Sequence, residues 1–165
     1  MQKKNPAIGK AAGRRSIFVD SSSWIALFSR RDQHHDEADR MFRTIVASKH
    51  PLFTTNLVLA EIHRLLLYRA GSKAALAALE KIEASPLVRI EFADAKHHQS
   101  ATNWLKKLNE HSISYTDAIS FSIMGTAGCR KVLSYDHHFR AAGFEIFNGS
   151  NRCITRVAAE HSMNG

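Results

Sequence analysis

The sequence predicts an α/β protein: a three-layer α/β/α sandwich around a mostly parallel central sheet. Three observations lead there. Short apolar runs (Ile17-Phe18-Val19, Leu52-Phe53-Thr54, Val132-Leu133) alternate with longer segments whose apolar residues recur at helical spacing. The first run is continuously apolar rather than alternating, as a strand buried on both faces is. Breakers such as Pro51, Gly71, Pro86 and Gly128 fall between the segments.

Each element follows from local chemistry. Residues 1–15 carry Lys3, Lys4, Lys10, Arg14 and Arg15 without apolar periodicity and read as a flexible basic tail. Residues 16–148 read as the folded domain. Its first strand is Ser16 to Asp20. Ser21, Ser22 and Ser23 suit a strand-to-helix turn, and a short helix runs from Trp24 to Ser29. His34 to Ser48 places Ala38, Met41, Phe42, Ile45 and Val46 at helical spacing, with acids in its first turn. Pro51 ends it, Leu52 to Thr54 forms a strand, and Thr55 or Asn56 caps a densely apolar helix from Leu57 to Arg69 that Gly71 stops. A helix from Lys73 to Glu83, a strand from Leu87 to Phe92 and an amphipathic helix from Ala93 to Leu108 follow. Thr116 to Thr126 is helical, Val132 to Asp136 a strand, His137 to Ala142 a short helix and Phe144 to Phe147 a last strand. Residues 149–165 read as a C-terminal extension without an assigned role.

Composition narrows the class. At 165 residues, with 44% apolar and 23% charged, the chain suits one globular domain. No run approaches the ~20 apolar residues that cross a bilayer, and the basic N-terminus lacks a secretory apolar stretch. A cytoplasmic protein without membrane contact is expected, with Cys129 and Cys153 as reduced thiols. A net charge of +8 favours polyanions such as nucleic acid.

Four acidic residues depart from the polar, helix-surface setting of most of the 15. Asp20 follows Ile-Phe-Val, Glu61 interrupts an apolar helix, Asp117 opens the helix Ala-Ile-Ser-Phe-Ser-Ile-Met, and Asp136 follows Val-Leu-Ser-Tyr. Singly, each has a structural reading: Asp20 as a helix cap, Asp117 as a first-turn acid, Glu61 as the partner of Arg64, Asp136 as a turn residue. Together they point elsewhere. Asp20 and Asp136 end predicted strands, and open parallel sheets bind ligands beyond the carboxyl ends of their strands. Two unit charges ~4 Å apart repel by about 4 kcal/mol at an effective dielectric of about 20, so a converging cluster needs a cation or protonation. Hard oxygen donors favour Mg²⁺ or Mn²⁺, and such ions, shared with substrate phosphate, suit phosphodiester cleavage.

The pieces IFVDSSSWIALF, TTNLVLAEIHRLLL, SYTDAISFSIM and VLSYDHHFRAAGFEIF together resemble the PIN-domain nucleases, especially the VapC toxins of bacterial toxin–antitoxin systems. The resemblance spans roughly Ile17 to Phe147. It implies a PIN-like fold, an Mg²⁺- or Mn²⁺-dependent endoribonuclease, and products with 5′-phosphate and 3′-hydroxyl ends. Asp20 and Asp117 would be the principal metal ligands, with Glu61 and Asp136 completing the cluster. Ser21, Thr116 and Ser134 match small hydroxyl positions beside them. The resemblance also implies an RNA substrate, a homodimer, and a cognate antitoxin whose basic side chain enters the acidic groove. A PIN-like domain that binds RNA or protein without cleaving is the alternative; the complete acidic quartet speaks against it.

Other features carry less. Adjacent histidines such as His34-His35, His97-His98 and His137-His138 are expected to diverge on a helix, and no zinc-ligand spacing appears. His63 and His137 neighbour the acids and are read as surface residues. Trp24 and Trp104 are read as core rather than base-stacking groups. Arg64, Lys131 and Arg140 are candidates for phosphate contacts. The chain lacks a GxGxxG or P-loop, the Asp-x-Asp of haloacid-dehalogenase phosphatases, and the acidic pair and late lysine of receiver domains.

Overall fold

A computed structural model describes residues 13–149. The order of elements is β1 (Ile17–Val19), α1 (Ser21–Phe28), α2 (His35–Ala47), β2 (Leu52–Thr55), α3 (Asn56–Ala70), α4 (Ser72–Ala84), β3 (Val88–Glu91), α5 (Ala95–Lys107), a 3-10 turn (Asn109–His111), α6 (Tyr115–Ala127), β4 (Lys131–Leu133), α7 (His138–Ala141) and β5 (Glu145–Ile146). The sheet runs β3-β2-β1-β4-β5, and every pairing is parallel. Helices α1 to α4 pack in one contiguous set and α5 to α7 in another, giving three layers.

The topology creates one special edge. From β1 the chain steps outward through β2 to β3, then returns to place β4 on the other side of β1. Chain order reverses between β1 and β4, and crossovers leave in opposite directions there. That opens a crevice at the carboxyl ends of these two strands.

Local signals explain the elements that frame the crevice. β1 is fully buried, as its unbroken apolar run requires. The Asp20 side chain caps α1 by accepting from the Ser22 amide, so the helix starts at Ser21, three residues earlier than expected. In α2, Ala38, Phe42 and Ile45 are buried on one face. Thr55 caps α3, and Gly71, at φ 85°, ends it in a conformation that costs glycine little. On α3 only Val58, Ile62 and Leu66 are buried; Tyr68 is 81% exposed, so this helix is less enclosed than its composition suggests. Asp94 and His97 form a capping box that starts α5 at Ala95.

Two further boundaries differ from expectation. β4 ends at Leu133 rather than Asp136, because the amides of Tyr135 and Asp136 are taken by the hydroxyls of Ser22 and Ser134. Residues 13–15, assigned to the tail on sequence grounds, form a turn in which Gly13 is buried. A Cβ on Gly13 would lie 2.0 Å from the Ala127 carbonyl oxygen, so only glycine fits there. The rest of the basic tail, residues 1–12, and the extension after Gly149, with Cys153, lie outside the described residues. Cys129 is a buried free thiol.

The core runs through the sheet. Phe18 and Phe53 meet edge to face across β1 and β2, and Trp24 packs on Phe42. Phe18 also meets Phe139, with centroids 5.9 Å apart, and Phe121 contacts Trp104, Phe139 and Phe144 with centroids 5.4, 5.0 and 5.5 Å away. Both tryptophans are therefore packing residues. Phe121 is fully buried at the centre of its cluster, on the helix that carries Asp117. Phe121→Ala is expected to lower unfolding stability by about 3–5 kcal/mol in urea titration; a loss under about 1 kcal/mol would contradict this account of the core.

Candidate active site

The crevice between β1 and β4 is built around Asp20. Its residue is 3% exposed, yet it carries a carboxylate. Three donors converge on Oδ2: the Ser22 amide at 3.3 Å, the Ser22 hydroxyl at 2.7 Å and the Ser134 hydroxyl at 3.0 Å. The Asp20 amide in turn donates to the Leu133 carbonyl at 3.1 Å, carrying the β1–β4 pairing up to the site. Burial pushes the Asp20 carboxyl up to about 6; the hydrogen bond from Ser22 opposes this, and the nearby charge of Asp117 reinforces it.

Asp117 enters from the first turn of α6. Ser114 caps that helix, accepting from the Asp117 amide at 3.0 Å. The Asp117 carboxylate answers by accepting from the Ser114 amide at 2.9 Å and its hydroxyl at 2.8 Å, both on Oδ2. Burial raises its pKa, the Ser114 hydrogen bonds lower it, and the charge of Asp136 raises it again.

Asp136 lies in the turn after β4 rather than on the strand. Its amide donates to Ser134 Oγ at 3.0 Å. Its Oδ1 accepts from the His138 amide at 2.9 Å, and His138 Nδ1 lies 3.1 Å from Oδ2. The same ring nitrogen is 3.9 Å from Asp117 Oδ2, so His138 bridges two of the acids. Glu61 reaches the cluster from the second turn of α3. It is half-buried, and burial raises its pKa against a hydrogen bond from Ser21. Asp117 and Asp136 push it up as well, while Arg64 pulls it down.

All four predicted acids therefore share one electrostatic cluster, drawn from the ends or first turns of elements far apart in sequence. Ser134 and Ser21 stand beside Asp20 and Glu61 as expected. The hydroxyl that holds Asp117 belongs to Ser114; Thr116 lends its carbonyl to Ser120 Oγ. Three contributors escaped the sequence reading: Ser22, Ser114 and His138. Ser114-x-x-Asp117 is a readable capping-box spacing. Ser22 was visible only as one of three serines, and nothing distinguished His138 from its neighbour.

The histidine pair also corrects an expectation. His137 and His138 do not diverge: their rings lie 4.2 Å apart, and with Asp136 they bring ligating atoms within 4.8 Å of one another. His137 is the N-cap residue of α7 and His138 its first residue. Next to them a cleft of about 320 Å³ is lined by Ser134, Tyr135, Asp136, His137 and Arg140. His63 instead lines a hollow with Leu59, Leu79 and Phe92. A mainly oxygen donor set with mutual repulsion and few cationic partners fits a hard divalent cation.

A sheet of this order with an acidic crevice at the β1–β4 switch defines the class, and the chain belongs to the PIN-domain family, whose model matches residues 17–145. The match includes all four acids. The chain is 40% identical over 129 residues to the 23S rRNA-specific endonuclease VapC20 of Mycobacterium tuberculosis, covering 78% of this chain and 95% of that protein. The crystal structure of VapC20, described as a sarcin–ricin loop cleaving toxin, aligns with a TM-score of 0.70 at 39% identity, over 78% of this chain and 96% of that one. VapBC2 from Rickettsia felis, bound to a promoter DNA fragment, aligns at 0.63 with 12% identity, covering 81% of this chain and 98% of its own. FitAcB from Neisseria gonorrhoeae aligns at 0.61 with 16% identity, covering 82% of this chain and 99% of its own. These last two share the fold.

The raised Asp20 value has a thermodynamic consequence. Folded Asp20 holds its proton more tightly than unfolded Asp20, so its stabilising effect is complete below the unfolded value near 3.8 and is lost as pH rises through about 6. In metal-free protein, the stability of wild type relative to Asp20→Asn should fall by roughly 2 kcal/mol between pH 4 and pH 7. Urea titrations across that range read it directly. A flat difference would contradict the buried, desolvated carboxylate.

Proposed function

We propose that the chain is a divalent-metal-dependent endoribonuclease, the toxin of a toxin–antitoxin pair, acting in the cytoplasm on 23S ribosomal RNA. One observation carries the reading: four carboxylates share one cluster, and the most buried of them is pushed up to about 6. A protein built only to bind RNA would gain by losing those charges, since phosphate is repelled by them. The substrate follows from the likeness to the 23S rRNA-specific VapC20, and the sarcin–ricin loop is its proposed target.

In this reading Asp20, Asp117 and Asp136 would hold Mg²⁺ or Mn²⁺, with Glu61 beside them. A bound ion supplies charge neutralisation for the phosphate and lowers the pKa of an attacking water. The chain's own groups do the rest. Ser22, Ser134 and Ser114 hold the carboxylates through Oδ2. Glu61, with its raised pKa, orients the attacking water and accepts its proton. His138 fixes the Asp136 carboxylate from two sides. Arg140, in the adjacent cleft, is placed to meet a neighbouring phosphate. Water adds to phosphorus, the bond to the 3′ oxygen breaks, and 5′-phosphate and 3′-hydroxyl ends result. Homodimerisation and inhibition by a small antitoxin with a basic tail complete the proposal.

Two tests bear on it. Purified protein should cut ribosomal RNA with Mg²⁺ or Mn²⁺, lose activity in EDTA and regain it on re-addition, with cuts mapped by primer extension. Asp20→Asn or Asp117→Asn should reduce cleavage by at least about 100-fold and weaken Mn²⁺ binding by calorimetry. Wild-type rates in Asp20→Asn would end the enzyme reading. Separately, Ser22→Ala removes a hydroxyl that donates to Asp20 and should weaken Mn²⁺ binding about 10-fold, with the fold retained.

A further inference from the structure

Tyr115 is the first residue of α6 and follows Ser114, whose amide and hydroxyl hold Asp117. Its side chain is 44% exposed, although the helix behind it is almost wholly buried from Asp117 to Met124. The ring is nonetheless held in place. Its hydroxyl is hydrogen-bonded to His98 Nδ1, and the two rings lie end to end through that contact, with centroids 5.8 Å apart and planes at 21°. His98 belongs to α5, which packs along α6, so the pair is anchored in two helices.

His98 meets Tyr115 at its hydroxyl end, and 44% of the residue remains open to solvent. Its sequence neighbours Ser112, Ser114 and Thr116 are polar, so this is an isolated aromatic in a polar setting rather than part of a broad apolar patch. A nucleobase suits such a surface: it offers a π-face to the ring and carries its own polar edges. Because the ring is already braced, little side-chain freedom remains to be lost on binding. A stacked pair, His34 on Tyr135 at 4.1 Å, flanks Asp136, but the Tyr135 hydroxyl is buried and that pair props the turn.

We propose that Tyr115, braced by His98, is a base-binding subsite on which one unpaired nucleobase of the RNA stacks at the N-terminal end of α6, the end that carries Asp117. The proposal rests on the ribonuclease reading and adds where one base of the substrate sits. An exposed aromatic of this kind contributes to binding whatever the base, so the subsite sets register and favours unpaired RNA over duplex.

The test separates the two claims. A hairpin RNA with 2-aminopurine substituted at each loop position in turn is bound to Asp20→Asn protein, with binding followed by anisotropy and stacking by fluorescence. Quenching at one position is expected. Adding Tyr115→Ala should abolish that quench and weaken binding about tenfold, whereas Tyr115→Phe should keep the quench. His98→Ala, which frees the ring without removing it, should give a partial loss. Circular dichroism checks that each variant is folded; if Tyr115→Ala is not, Tyr115→Leu takes its place. RNA binding with a quench indifferent to Tyr115 overturns the subsite alone. Absence of RNA binding in the parent protein overturns the ribonuclease reading and the subsite with it. A Tyr115→Ala protein that changes only its sedimentation or its binding of a partner protein assigns the residue to an interface and overturns the proposal.

Discussion

A carboxylate in the interior is costly unless its oxygens are met by donors, and Asp20 is held where that cost is greatest, at the point where β1 and β4 part. Its Oδ2 collects two hydroxyls and one amide, and those hydroxyls are not passive. Ser22 Oγ also receives the Tyr135 amide, and Ser134 Oγ receives the Asp136 amide. One knot of hydrogen bonds thereby ties the start of α1 to the turn after β4. The second acidic residue of the rim, Asp136, is placed by the same serine that holds the first. Loss of Asp20 would loosen the turn that positions Asp136, so the two acids are coupled structurally as well as electrically.

The structural readings of these residues are true, and they do not compete with the functional one. Asp20 does cap α1, and Asp117 does complete the capping box of α6. Capping commits one carboxylate oxygen and points the residue into a helix N-terminus, where the backbone dipole favours negative charge. Two helix starts aimed at one crevice lower the cost of gathering charges there. Capping does not cancel that cost, because burial still raises the pKa of Asp20, Asp117 and Glu61. The surplus of repulsion is the property a divalent ion would relieve.

The fold was readable because its signals are local and redundant: apolar runs, caps and breakers agree on nearly every element. The acids were readable because a charge amid apolar neighbours stands out, and strand ends in a parallel sheet share a rim. What escaped reading depends on side-chain direction. Which of Ser21, Ser22 and Ser23 turns to Asp20 is decided by where β4 ends, and β4 is shorter than its composition suggests because two of its amides are diverted to hydroxyls. His138 could not be preferred over His137, since the choice depends on the conformation of a four-residue helix. Glu61 was the acid least explained by local structure, and it remains the least buried of the three with raised values, held only by Ser21 and the pull of Arg64.

The charge of the whole chain and the charge of its crevice have opposite signs, and the contrast has a physical consequence. A net charge of +8 draws RNA toward the surface over a range set by the salt concentration. At the crevice the field reverses, and a phosphate approaching bare carboxylates meets repulsion that strengthens as the local dielectric falls. On the proposed reading, encounter and reaction have different requirements: the exterior suffices for the first, while the second would need a cation to reverse the local sign. In such an arrangement the ion would be part of the recognition of phosphate as well as of its cleavage. RNA held at the surface without the ion would be near the acids yet kept out of contact with them.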